Sequence, residues 1–82
     1  MYVGWMEKYA DTFKAIGQTV DTLRKEQGLT KCALADFADL QECHIRKVIS
    51  GKHNFTLLTF LKVCEALQIS PLDFFKKLNN SH

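Results

Sequence analysis

Residues 29–55 hold two short amphipathic segments with almost no chain between them, and no other part of this sequence leaves so little choice of fold. In the first, Leu34, Ala35 and Ala38 stand at i, i+1 and i+4, on one face of a helix. Thr30 precedes it and is suited to accept a bond from a free backbone N–H at the helix start. Asp39 falls where the chain must reverse, and Asp tolerates the left-handed backbone better than most residues. The second segment runs from about Glu42 to Ile49, with Ile45, Val48 and Ile49 on one face. At about 100° per residue, Cys43, Arg46 and Lys47 project opposite them, with Glu42 at the margin. Gly51 ends the segment. The pattern predicts two helices at a tight turn, the second showing a polar, partly basic face.

The flanks supply a core for this pair. Tyr9, Phe13, Ile16, Val20 and Leu23 are spaced four and three apart, which predicts one helix over 6–27. Gly17 interrupts it at a cost of about 1 kcal/mol relative to Ala, and Gly28 ends it. Trp5, Met6 and Tyr9 are apolar for a free tail, so three readings stand for residues 1–12: they cover a flank of their own core, contribute to a dimer contact, or are disordered at the tip. Thr56 is placed to cap a fourth helix over 57–67, whose apolar set (Leu57, Phe60, Leu61, Val63, Cys64, Leu67) is broad enough to be mostly buried. Ser70-Pro71 is a helix start, with Asp73 in the first turn and Lys76 and Lys77 near the end. On this last helix Leu72, Phe75 and Leu78 form one face, with Phe74 beside it, and residues 79–82 are expected to fray.

Composition closes off several classes of function. With 82 residues the chain makes one domain, and its net charge of +2 leaves no strong electrostatic footprint. Nucleic-acid binding must therefore rest on a local face, such as the four basic and three acidic residues of 28–55. Three cysteines without a CxxC pair suit a reducing cytosol, residues 1–7 lack the basic and continuous apolar regions of a secretory leader, and no apolar run reaches membrane length, so a cytoplasmic location is expected. Cys43 and His44 are neighbours whose side chains diverge by about 100°, and Cys32 and Cys64 fall on other segments. That spacing suits neither a metal centre nor a nucleophile with its base, so no metal, cofactor or catalytic residue is expected. Cys64 reads as a small core residue, whereas Cys43 leaves a redox role open.

Gly28-Leu29-Thr30-Lys31, Leu34-Ala35, Ala38-Asp39-Leu40, Ile45, Val48 and Ser50-Gly51-Lys52-His53-Asn54 resemble the helix-turn-helix of the phage repressor/Cro type, the XRE class. The likeness continues through Leu57, Leu61, Val63, Ala66-Leu67, Ile69-Ser70 and Phe74-Phe75, and spans about residues 13–75. It implies an all-α, five-helix, lambda-repressor-like bundle with the helix-turn-helix at 30–50. Residues 1–12 then form an extension, 13–78 the DNA-binding domain and 79–82 a tail. Also implied is a sequence-specific transcription regulator that binds double-stranded operator DNA as a homodimer, not an enzyme, with no small-molecule ligand and no membrane. Regulators of mobile elements, restriction–modification controllers and antitoxins share this size and pattern.

Carried over by position, the base readers are Gln41, Glu42, Cys43, Arg46 and Lys47, and Lys52, His53 and Asn54 match the loop laid along phosphates; Thr30 and Lys31 add the anion-binding start of a helix, and Arg24 reaches the backbone from the end of the first helix. Arg46 and Lys47 suit guanine N7 and O6. Glu42 either accepts from cytosine N4 or only stabilises the helix start, and it repels phosphate. Gln41 is a poor capper, and Asp36 and Asp39 flank the face and would need to point away. The competing expectation is a helical protein-interaction module, such as an antitoxin-like partner, built on the same bundle; the weak charge, Glu42 and the aromatic N-terminal stripe favour it.

Overall fold

The apolar spacing at four and three resolves into five helices: α1 (Gly4–Glu26), α2 (Lys31–Ala38), α3 (Glu42–Ser50), α4 (Leu57–Ala66) and α5 (Pro71–Asn80). The computed structural model describes residues 4–80, with side chains from 9 to 78. Among the described residues there is no strand. The bundle is all-α, as the resemblance implies, and α1 runs through Gly17 without a break. The expected roles of Trp5 and Met6, and of Ser81 and His82 in a frayed tail, lie outside the described side chains. Asn79 and Asn80, expected to fray, continue α5.

Capping residues set the boundaries. The Thr30 hydroxyl accepts from the Ala33 N–H at 3.0 Å, Thr56 from Thr59 at 3.2 Å and Ser70 from Asp73 at 3.1 Å. Each satisfies a backbone donor that a helix start leaves free. Four helices end on a residue with left-handed φ, and three of these, Gly28 (71°), Asp39 (56°) and Gln68 (58°), close alike. In each, the next N–H turns back five residues, as in Leu40 N–H to the Ala35 carbonyl at 2.9 Å and Ile69 N–H to Cys64 at 3.1 Å. This closure satisfies carbonyls that would otherwise be orphaned.

One core joins all five helices: Ile16, Val20 and Leu23 from α1, Leu34 and Ala35 from α2, Ile45 and Val48 from α3, Phe60, Val63 and Cys64 from α4, and Phe74 and Leu78 from α5. Burial pushes the Cys64 thiol up to about 11, so it packs as a neutral apolar group. A chain of aromatic rings ties the ends together, Phe13 to Phe55 at 5.4 Å, Phe55 to Phe60 at 6.5 Å and Phe60 to Phe74 at 5.1 Å.

Three packing expectations need correction. Tyr9 of the α1 stripe is exposed, with the stripe buried only from Ile16 onward. On α4, Leu57 and Leu61 are exposed, and Leu58 joins them. On α5 the core face is Phe74 and Leu78, while Leu72 and Phe75 point outward. The Phe60 ring meets both phenylalanines of α5, Phe74 at 5.1 Å and Phe75 at 5.4 Å, but only Phe74 is enclosed on its other sides, and Phe75 stays 45% exposed.

Candidate nucleic-acid interface

The outer face of α3 depends on how its inner face is held. Ile45 and Val48 are buried in the core, and the end of the helix lies directly on α1. A Cβ at Gly17 would meet the Ile49 carbonyl oxygen at 2.4 Å and that of Val48 at 2.5 Å. Gly51, at φ +70°, stops the helix where a Cβ would come within 2.6 Å of Lys14 Cα. Two glycines therefore let α3 seat backbone to backbone against α1, which fixes its tilt.

With that side occupied, Cys43, His44, Arg46 and Lys47 are exposed and Glu42 is half-buried. Gln41 sits at the N-cap without a side-chain cap bond, as its chemistry predicts, and its Oε1 accepts from Cys43 Sγ at 3.6 Å. The side chains of Arg46 and Glu42 pair: Arg46 Nε and Nη2 both donate to Glu42 Oε2, at 3.0 and 2.6 Å. The five expected base readers thus share the N-terminal end and outer surface of one helix.

The expected phosphate contacts divide. Thr30 and Lys31 open α2, with the Thr30 hydroxyl engaged as the cap and Lys31 half-buried. Lys52, His53 and Asn54 follow α3 in an exposed loop. That loop is latched at its start, where Ser50 Oγ donates to the Lys47 carbonyl at 2.8 Å and accepts the Lys52 N–H at 3.3 Å. It is anchored at its end by Phe55 against Phe13. Ser50 and Phe55 set the path of this loop, and a small hydroxyl residue just before a glycine is the local sign of the latch.

Arg24 does not join this set. Its guanidinium turns inward, donating to the Leu29 carbonyl at 2.6 Å and to Asp21 Oδ1 at 3.0 and 2.7 Å, and its side chain is 12% exposed. It holds the α1–α2 connection. Partial burial raises the Asp21 carboxyl, but hydrogen bonds and charge from Arg24 and Lys25 outweigh this and keep it below its ordinary value. Asp36 and Asp39 do not point clear of α3: both are exposed and line one open cleft with Gln41, His44 and Lys62. Lys62 stands 4.0 Å from Asp39 and offsets part of that charge.

No helix among the described residues is long and apolar enough to cross a membrane. No curated protein matches the sequence. Among solved structures, the restriction-modification controller protein C.AhdI from Aeromonas hydrophila is 31% identical, over 79% of this chain and 98% of its own, with a TM-score of 0.75. The controller C.Esp1396I, solved as a tetramer with its natural 35-base-pair operator, is 22% identical over 83% of this chain and 90% of its own (TM-score 0.78). The clp gene regulator ClgR from Corynebacterium glutamicum is 22% identical over 84% of this chain and 73% of its own (TM-score 0.77). The last two establish likeness of fold alone. A family described as helix-turn-helix matches residues 20–74, two thirds of the sequence and the whole of the α2–α3 pair. On that match and the identity to the Aeromonas controller, this chain belongs to the helix-turn-helix family.

Proposed function

We propose that this protein is a transcription regulator that reads double-stranded operator DNA as a homodimer, in the manner of a restriction-modification controller. The observation that carries this is α3, seated on α1 by Gly17 and Gly51 with Arg46 and Lys47 exposed on its far side. The major groove of B-DNA admits one helix, and guanine offers N7 and O6 there to a guanidinium or ammonium group. Gln41, Glu42, Cys43, Arg46 and Lys47 face the base edges in this arrangement. Thr30, Lys31, Lys52, His53 and Asn54 hold the phosphates, and Arg24 has no part in it.

A second copy of the chain covers the outward side of α4 and α5. Leu57, Leu58, Leu61, Leu72 and Phe75 are all exposed there, between 42% and 70%. Large apolar side chains left exposed in this number are what an interaction surface presents. Two copies double a modest basic face into a site that spans two half-sites about 34 Å apart. The same apolar side is what a protein-interaction module would use, so duplex binding is the discriminating property. A regulator of this kind works on DNA in the cytoplasm and needs no catalytic group.

Binding of the purified protein to a random-sequence duplex, titrated across a salt series, tests this. The logarithm of affinity should fall linearly with the logarithm of salt, and Lys31→Ala and Lys52→Ala should each flatten the slope by about 0.9. Failure to bind duplex at low salt would refute DNA recognition, and slopes unchanged in both variants would remove those lysines from the interface.

A further inference from the structure

Glu42 is the anomaly of the α3 surface. A carboxylate on a face that meets phosphate is repelled by it, yet this one is bonded to the arginine best placed to read a base. The geometry of that bond matters more than its charge. Both Nε and Nη2 of Arg46 donate to the single oxygen Oε2 of Glu42, so the carboxylate occupies the side edge of the planar guanidinium. The end edge, where Nη1 and Nη2 present a parallel pair of N–H groups, is left open. Among the described residues neither side chain makes another hydrogen bond. That open pair matches the two acceptors of a guanine, N7 and O6.

Building on the proposed reading of DNA by α3, we infer that Glu42 is a positioning residue that makes Arg46 specific for guanine. It acts in two ways. It fixes the plane of a long, flexible side chain before the duplex arrives, so less conformational freedom is lost in forming the base contact. It also offsets the arginine's charge, which weakens the pull of the phosphate backbone on a group that would otherwise settle there. A free arginine binds all duplex DNA; a paired one favours the site that offers two acceptors in the right plane. Exposed ion pairs are weak as sources of stability, so this one acts on specificity rather than on the fold.

The test is selection of bound sequences from a random duplex pool, run on the wild-type protein, Glu42→Gln, Arg46→Ala and the double variant, alongside salt-dependent binding to an unrelated duplex. Arg46→Ala should lower guanine preference at one position of each half-site roughly 5- to 150-fold, the range a good bidentate base contact carries. Glu42→Gln should lower preference several-fold at that same position and nowhere else. It should also tighten binding to the unrelated duplex roughly two- to fivefold, the range an exposed ion pair spans. Its salt slope should steepen by about 0.9 as Arg46 moves to phosphate. In the Arg46→Ala background, Glu42→Gln should change nothing at that position. If Glu42→Gln alters a different position, Glu42 reads its own base and the inference fails. It also fails if thermal stability falls while the selected sequence is unchanged, since Glu42 then only stabilises the helix start. A wild-type protein that selects no sequence removes the parent reading as well, which separates that failure from the other two.

Discussion

The Gly17 Cα and the Ile49 carbonyl meet with no room for a methyl group between them: a Cβ at position 17 would stand 2.4 Å from that oxygen. Both sides of the contact are helix backbone, so neither moves aside without shifting a whole helix. Gly17→Ala gains about 1 kcal/mol of helix propensity and incurs overpacking of about 3 kcal/mol, the upper end of the usual range. A net loss of about 2 kcal/mol is expected from chemical denaturation, with duplex binding weakened further because α3 is re-tilted. A Gly17→Ala protein as stable as wild type would show that the contact is looser than described.

Asp21 and Arg24 make stability depend on acidity. The Asp21 carboxyl lies below its ordinary value of 3.8 in the folded protein, so the unfolded chain takes up its proton first as pH falls. The stabilisation is fully present above that value and disappears as pH drops through the folded one. Asp21→Asn should therefore lower the melting temperature at neutral pH, with the gap to wild type narrowing below about pH 4. A gap of constant size across that window would mean that the charge of Asp21 does not contribute.

Gln68 closes α4 at φ +58° where the two matching helix ends use Gly28 and Asp39. A side chain in this conformation costs about 1–2 kcal/mol, which glycine does not incur. Gln68→Gly should raise stability by about 0.5–1 kcal/mol, part of the gain being offset by the freer unfolded chain. Denaturant midpoints at equal m-value measure it, and a lower midpoint would contradict the strain.

The outward side of α4 and α5 should break the dimer when charged. Leu58 and Leu72 are 62% and 66% exposed, so Leu58→Glu with Leu72→Glu costs the monomer fold little. Sedimentation velocity should find the wild-type protein dimeric and the double variant monomeric, with unchanged circular dichroism. A variant that remains dimeric would place the contact elsewhere.

Periodicity and caps made most of this fold legible. Thr30, Thr56 and Ser70 mark helix starts because a short hydroxyl side chain can reach a backbone N–H two or three residues on, and Asp39 marks a reversal because it accepts positive φ. Gln68 does the same work without a local signal, since its side chain has no particular affinity for that conformation. Leu57, Leu61, Leu72 and Phe75 were expected inside because apolarity alone does not tell a core from a face that awaits a second chain. Arg24 was expected on phosphate because its inward turn depends on where the Leu29 carbonyl comes to lie, a consequence of the α1–α2 connection and not of neighbouring residue types. On α3 the spacing marks Cys43, Arg46 and Lys47 as exposed, and the i, i+4 separation of Glu42 and Arg46 is a signal for their pairing, though not for which edge of the guanidinium the carboxylate takes.

Whether α3 reads bases is decided by sequencing the duplexes that the dimeric protein retains from a random pool at moderate salt. Enrichment of a two-fold repeat with half-sites one helical turn apart, carrying a guanine whose preference vanishes in Arg46→Ala, is the expected outcome. A folded dimer that returns the pool unenriched would show that the exposed face of α3 is not a reader of DNA sequence.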